Sequence, residues 1–146
     1  MIDKKHRGMR LPAYDATPEA GQLRFFAKAI GETNPVYTEE AAARDAGHSG
    51  LPLPPTFLFS LELQNPSKDW RDTLGIVANR ILHGEESFTY HRMAYAGDVL
   101  RFQTHISDIY DKKDGALSFV VRDTCVTNQR GEHVADLRSV LVHRNG

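Results

Sequence analysis

Apolar residues recur at helical spacing in the first half of the chain and at every second position in the other half. Leu23, Phe26, Ala27 and Ile30 follow the i, i+3, i+4, i+7 spacing of one buried helix face. Thr17-Pro18-Glu19 just before them reads as a helix start: a capping hydroxyl, proline at the first helical position and an acid near the positive dipole end. Gly31 ends that helix, and Glu32-Thr33-Asn34-Pro35 is turn-prone, with proline steering Asn34 away from helical geometry. Residues 39–46 predict a short helix closed by Gly47, and Gly50-Leu51-Pro52-Leu53-Pro54-Pro55 an extended connector. The connector feeds residues 56–63, apolar nearly all round, which predict a buried helix. Residues 1–12 are basic and irregular, and Pro12 discourages a helix there.

From about Arg80 onward the period becomes two. Phe88 and Tyr90 alternate with Thr89 and His91, and Leu100, Phe102, Thr104 and Ile106 with Arg101, Gln103 and His105. Residues 116–127 and 134–143 predict two further strands, with Asp111-Lys112-Lys113-Asp114-Gly115 and Asn128-Gln129-Arg130-Gly131 as short hairpin connections. An antiparallel meander of this kind needs one face covered, and the apolar helix at 56–63 is the cover at hand. The fold class is α+β: a curved antiparallel sheet wrapped around a central apolar helix. Residues 1–146 form one domain, with 1–12 as an irregular arm.

Composition narrows the function classes. The chain carries 18 Lys+Arg against 19 Asp+Glu, a formal net charge of −1, which gives no overall field to recruit nucleic acid or an anionic membrane. The longest strongly apolar run, residues 57–61, is far too short to span a bilayer. The N-terminus has charge without a following apolar stretch, so no secretory signal is expected and a cytoplasmic location is. The lone Cys125 excludes an internal disulfide and sits in a strand-like run, where a small buried apolar role is expected. The seven histidines show no pair at helical ligand spacing, so neither a metal nor any other cofactor is expected. Phosphate-loop, dinucleotide, zinc-protease and nucleophile-elbow motifs are all absent from the sequence.

The chemistry-bearing segment is Gly31-Glu32-Thr33-Asn34-Pro35-Val36-Tyr37, with an acid, a carboxamide and a phenol on one turn. By chemistry alone such a turn can bind a polar group or activate water, or it is a plain Asn-Pro helix terminus. Along the chain follow the short helix near 39–43, the 51–59 entry into an apolar helix, Leu82-His83-Gly84-Glu85-Glu86-Ser87-Phe88-Thr89-Tyr90-His91-Arg92 and Ala96-Gly97-Asp98. In that order, over roughly residues 10–143, these segments resemble the MaoC-like hydratase/dehydratase family. The match is to its N-terminal-type branch, similar to the dehydratase domain of type I fatty acid synthases.

The resemblance implies a hot-dog fold, a dimer, and an acyl thioester of CoA or acyl carrier protein as ligand. It also implies addition of water to a 2-enoyl group or its loss from a 3-hydroxyacyl group. Active members resemble Gly-Asp-x-Asn-Pro-x-His, and here Glu32 stands at the Asp position and Tyr37 at the His position, while Asn34 and Pro35 match. A phenol is a far weaker base near neutral pH than an imidazole, their ordinary values being about 10 and about 6.5. The expected role is the substrate-binding half of a hetero-oligomeric enzyme whose partner supplies the Asp and His. The alternatives are a self-sufficient homodimer using Glu32 or a relocated base such as His83, and a thioesterase or non-catalytic acyl-CoA-binding module. A thioesterase needs a carboxylate on the buried helix, where Glu62 is placed, though a solvent-facing or capping role is expected for it. Phe57, Phe59 and Leu61 are candidate walls of the acyl slot, the other reading being plain core. Pro55 and Thr56 lie at the helix entry, where backbone amides near Thr56 are positioned to polarise the thioester carbonyl. Arg80, Arg92 and Arg101 are available for pantetheine phosphates.

Overall fold

The structure is a computed structural model, and it describes every residue except Lys68. Five strands, β1 (Tyr14–Ala16), β2 (Ile81–Tyr90), β3 (Leu100–Lys112), β4 (Leu117–Thr127) and β5 (His133–Arg144), form one antiparallel sheet in the order β1-β3-β4-β5-β2. The meander expected from the period-two pattern is β3-β4-β5. The first hairpin turns through Lys113, Asp114 and Gly115, all left-handed (φ 54°, 52° and 84°), and the glycine takes that geometry without a Cβ penalty. Strand β3 carries a bulge between Ile106 and Asp108, so Ile106 and Ile109, three apart, are both fully buried. Strand β2 lies against β5 rather than β3, and residues 91–99 recross the end of the sheet. On the way they bind the connector: Leu53 N–H donates to Ala94 O and Ala96 N–H to Leu51 O, both at 2.9 Å.

Among the described residues, four α-helices pack with the sheet: α1 (Ala20–Ala29), α2 (Glu40–Asp45), α3 (Phe57–Leu63) and α4 (Asp69–Thr73). Helix α3 lays Phe57, Leu58 and Leu61 against Leu100, Phe102, Val126, Val134, Ala135 and Leu137 of the sheet. Each such side chain, fully buried, is worth about 1.5–3 kcal/mol. A second cluster gathers Ile2, Leu11, Trp70, Leu74 and Ile76 over Ile106, Ile109, Val120 and Leu141. Apolar burial, rather than helix length, holds α3, which spans only seven residues.

Four local expectations are corrected. Helix α1 starts at Ala20 behind a capping box of Glu19 and Gln22, not at Thr17-Pro18, because the Pro18 carbonyl already accepts Gly97 N–H at 2.8 Å. Ile30 at its end is 53% exposed although it shares the spacing of Leu23 and Ala27. The arm is ordered: Lys4–His6 is a 3-10 turn, and Gly8 and Leu11 donate to Ile106 O and Thr104 O at 2.7 and 2.9 Å, extending the edge pairing of β1 along β3. Cys125 is exposed, since it points to the face of β4 opposite Thr124 and Val126.

Candidate functional site

Helix α1 runs directly into the 31–37 loop. Gly31 takes φ 72°, ending the helix as its position predicted, and Glu32 N–H returns to Ala27 O at 2.9 Å. The loop then folds on itself. Asn34 N–H donates to Glu32 Oε1 at 2.8 Å, Asn34 Oδ1 accepts Val36 N–H at 3.1 Å, and Pro35–Tyr37 closes as a 3-10 turn. Tyr37 is half-buried beside Tyr90 of β2, whose hydroxyl donates to Pro55 O at 2.6 Å. Burial, with Tyr37 adjacent, holds the Tyr90 phenol well above its ordinary range. Three chain segments thus meet at the C-terminal end of β2: the loop, the entry to α3 and the strand itself. Tyr90 was not singled out from sequence, although its period-two position already faced it toward the helix.

His83 is elsewhere. It lies seven residues back along β2, roughly 20 Å away at strand rise, with its ring edge-on to Phe59 (centroids 5.4 Å). Its imidazole makes no hydrogen bond among the described residues, to Glu85 or otherwise, and it does not join Glu32 and Tyr37. The three candidate wall residues fall on different sides of the helix or into the core. Leu61 is core, while Phe57 meets Phe26 edge-to-face at 5.1 Å and lines a groove with Phe25 and Ser60 between α1 and α3. Phe59, two residues on and so on the other flank of the helix, turns to His83. Thr56 is exposed, and the amides of Phe57 and Phe59 are taken by Pro54 O and Thr56 O at 2.9 and 3.2 Å, leaving neither for a thioester oxygen. Of the three arginines, Arg92 pairs with Glu132 at 3.7 Å and Arg101 with Asp15 at 3.1 Å, while Arg80 makes no ion pair among the described residues.

Glu62 neither faces solvent nor caps a helix. Its side chain is 3% exposed, lying between α3 and β4, where Oε1 accepts the Thr124 hydroxyl at 2.9 Å and Oε2 faces Arg122 at 3.6 Å. Arg122 donates to Ser139 Oγ at 2.7 Å and sits 5.2 Å over the Trp70 ring, with Arg71 on the same ring at 5.5 Å. Arg71, Arg122, Ser139 and His83 line a cavity of about 260 Å³. Burial first, and then the negative charge of Glu62, pushes the Glu86 carboxyl up to about 8, with Arg122 opposing. The same two causes raise Tyr14, whose hydroxyl is 3.3 Å from Glu62 O. Arg122 and Glu86 escaped the sequence reading. The signal was present for Arg122, which shares the inward face of β4 with Val120, Thr124 and Val126.

A family model described as "FAS1-like, dehydratase domain region" matches residues 5–137. The chain belongs to this family. The UPF0336 protein of Saccharopolyspora erythraea is 34% identical over 134 residues, covering 91% of this chain and 83% of its own. Among solved structures, the HadBC (3R-hydroxyacyl-ACP dehydratase) complex from Mycobacterium tuberculosis superposes with TM-score 0.80 at 28% identity, over 94% of this chain and 96% of the other. A MaoC-like dehydratase superposes with TM-score 0.84 at 23% identity, over 97% of this chain and 43% of the other, which bears on fold alone. The fold of this dehydratase-family chain is therefore the hot-dog fold, with β2–β5 curved around α3, as the resemblance implied. Among the described residues no helix is long and apolar enough to cross a membrane.

Proposed function

We propose that this chain is the substrate-binding half of a hetero-oligomeric acyl-thioester hydratase/dehydratase, acting on 2-enoyl or 3-hydroxyacyl groups carried by CoA or acyl carrier protein. One observation carries the reading. The 31–37 loop offers Glu32, whose Oε1 is held by the Asn34 amide, and Tyr37 in place of an Asp and a His. The carboxylate is retained, but a phenol stands where the family's imidazole would take up a proton, and a phenol is a far weaker base near neutral pH. The likeness to a complex of unlike dehydratase subunits supports the same reading. In this role Asn34, Tyr37, Pro55 and the groove beside Phe57 shape the acyl-thioester cleft, Arg92 lies at its mouth, and the partner's loop supplies the dyad.

The alternatives draw less support. His83 lies too far along β2 to serve as base beside Glu32, and Glu62 is tied to Arg122 and Thr124 rather than free to attack a thioester. The test is hydration of short and medium enoyl-CoA and enoyl-carrier-protein thioesters by the chain alone and co-purified with an Asp/His-bearing family member. The proposal expects turnover only in the mixed complex, insensitive to Glu32→Gln beyond a few-fold. Turnover by the chain alone that collapses in Glu32→Gln would replace it with the homodimer reading.

A further inference from the structure

On the sheet face away from α3, where β2 ends and β5 begins, three donor groups converge. Nε2–H of His91 donates to Asp136 Oδ2 and Nε2–H of His133 to Asp136 Oδ1, each at 2.8 Å. The two imidazole rings lie 4.2 Å apart, tilted by 31°, and one donor atom from each of the three residues falls within 4.8 Å of the others. Nothing in the dehydratase-like cleft uses these residues. We propose that His91, His133 and Asp136 form a site for a divalent ion of the zinc class, bound by two imidazole nitrogens and one carboxylate oxygen with the remaining position open to water.

The donor set is one that borderline divalent ions take, and it is too nitrogen-rich for calcium or magnesium. Both imidazoles already aim Nε2 at one carboxylate. An ion at about 2.0–2.2 Å from each donor takes the place of the two Nε2–H protons, which move to Nδ1 of the same rings so that each neutral imidazole offers its Nε2 lone pair. It needs only side-chain adjustment. The backbone under the site is fixed, since His91 and Arg92 N–H both bond Val134 O, at 2.8 and 3.1 Å. Two arginines close by in sequence are already neutralised: Glu132, next to His133, takes Arg92 and Arg130 at 3.7 and 2.7 Å. Cys125 stands opposite Asp136 in the β4–β5 register but outside the converging set. The three side chains are 41, 44 and 50% exposed, so an ion enters directly from solvent. Bound there, it clamps β2 to β5 at the outer strand of the sheet.

The site is tested by titrating Zn²⁺ into the full chain after chelator treatment, in a non-coordinating buffer, followed by calorimetry and thermal unfolding, with Co²⁺ absorption as a report on geometry. One saturable ion per chain is expected, with a raised unfolding temperature and a Co²⁺ spectrum unlike that of the aquo ion. His91→Ala and His133→Ala should each weaken binding by at least about tenfold, no less than loss of an outer-shell partner costs. His105→Ala, on the same face but outside the set, should leave it unchanged. Both histidines are exposed, so their variants should fold, which circular dichroism checks. Absence of saturable binding, an unchanged affinity in both histidine variants, or an equal loss in His105→Ala would overturn the proposal.

Discussion

The two ends of β2 solve opposite problems. At its C-terminal end, the 31–37 loop keeps Glu32 and Asn34 near solvent, bonded to their own backbone, with only Tyr37 leaning on Tyr90. From its middle toward its N-terminal end, Glu86 joins Glu62, Arg122 and Arg71 beneath α3 and α4, where charge is costly to hold. Burial there also lowers Arg71, with Arg122 adding to the effect. The loop motif lies at the first end, while the two outlying candidates, His83 and Glu62, lie at the second with most of the electrostatic strain. Motif-bearing chemistry on a loop tolerates exposure because its geometry is local, whereas the buried seam needs four elements folded together before any of its charges is compensated.

The comparison breaks most sharply at Glu62. Glu62→Ala leaves Arg122 buried without its counter-charge and should cost about 3–5 kcal/mol in urea unfolding. The paired Glu62→Leu/Arg122→Met change should recover most of that loss. If Glu62→Ala costs no more than a surface substitution, the seam is solvated and the contrast fails. Next is Gly84→Ala on β2, where an added Cβ would lie 2.9 Å from Val142 Cγ2 and 3.1 Å from Val140 O. Overpacking against a stiff β-branched side chain and a strand carbonyl predicts a loss of about 1–3 kcal/mol, read as a lower unfolding temperature.

Titration separates the ends further. Glu86 is raised from 4.5 to about 8, so between those values the folded chain holds a proton that the unfolded chain has released. Stability should therefore fall as pH rises from about 5 to about 8. For a half-exposed side chain screened by solvent the change is on the order of 1 kcal/mol. Glu86→Gln should flatten that slope in unfolding curves collected across the range, and an unaltered slope would move the titration to another group. The smallest effect is expected at the loop. Asn34→Ala removes an exposed cap and should cost about 0.5–1 kcal/mol, while changing acyl-thioester binding in the mixed complex more than it changes stability.

Much of this was legible beforehand. The alternation of Leu100, Phe102, Thr104 and Ile106 set the inward face of β3, and Leu23 with Ala27 set that of α1. Gly31 and the Asn34-Pro35 turn placed the loop. Among what was not legible were the true start of α1, the short β1, and the splitting of Phe57 from Phe59. Each depends on a partner distant in sequence, such as Gly97 on the Pro18 carbonyl, Phe102 across from Tyr14, or His83 against Phe59.

The sequence by itself determined the α+β class, the alternating faces of β2 and β3, the family resemblance, and that the loop holds a glutamate and a tyrosine. These follow from local periodicity, turn chemistry and residue identity, which need no partner. Only the tertiary structure decided that Glu62 is buried against Arg122, that Cys125 faces outward, and that His91 and His133, 42 positions apart, share the carboxylate of Asp136. Register across β2, β4 and β5 makes those meetings. It is fixed by which apolar faces pack together, a property of the assembled sheet rather than of any one segment.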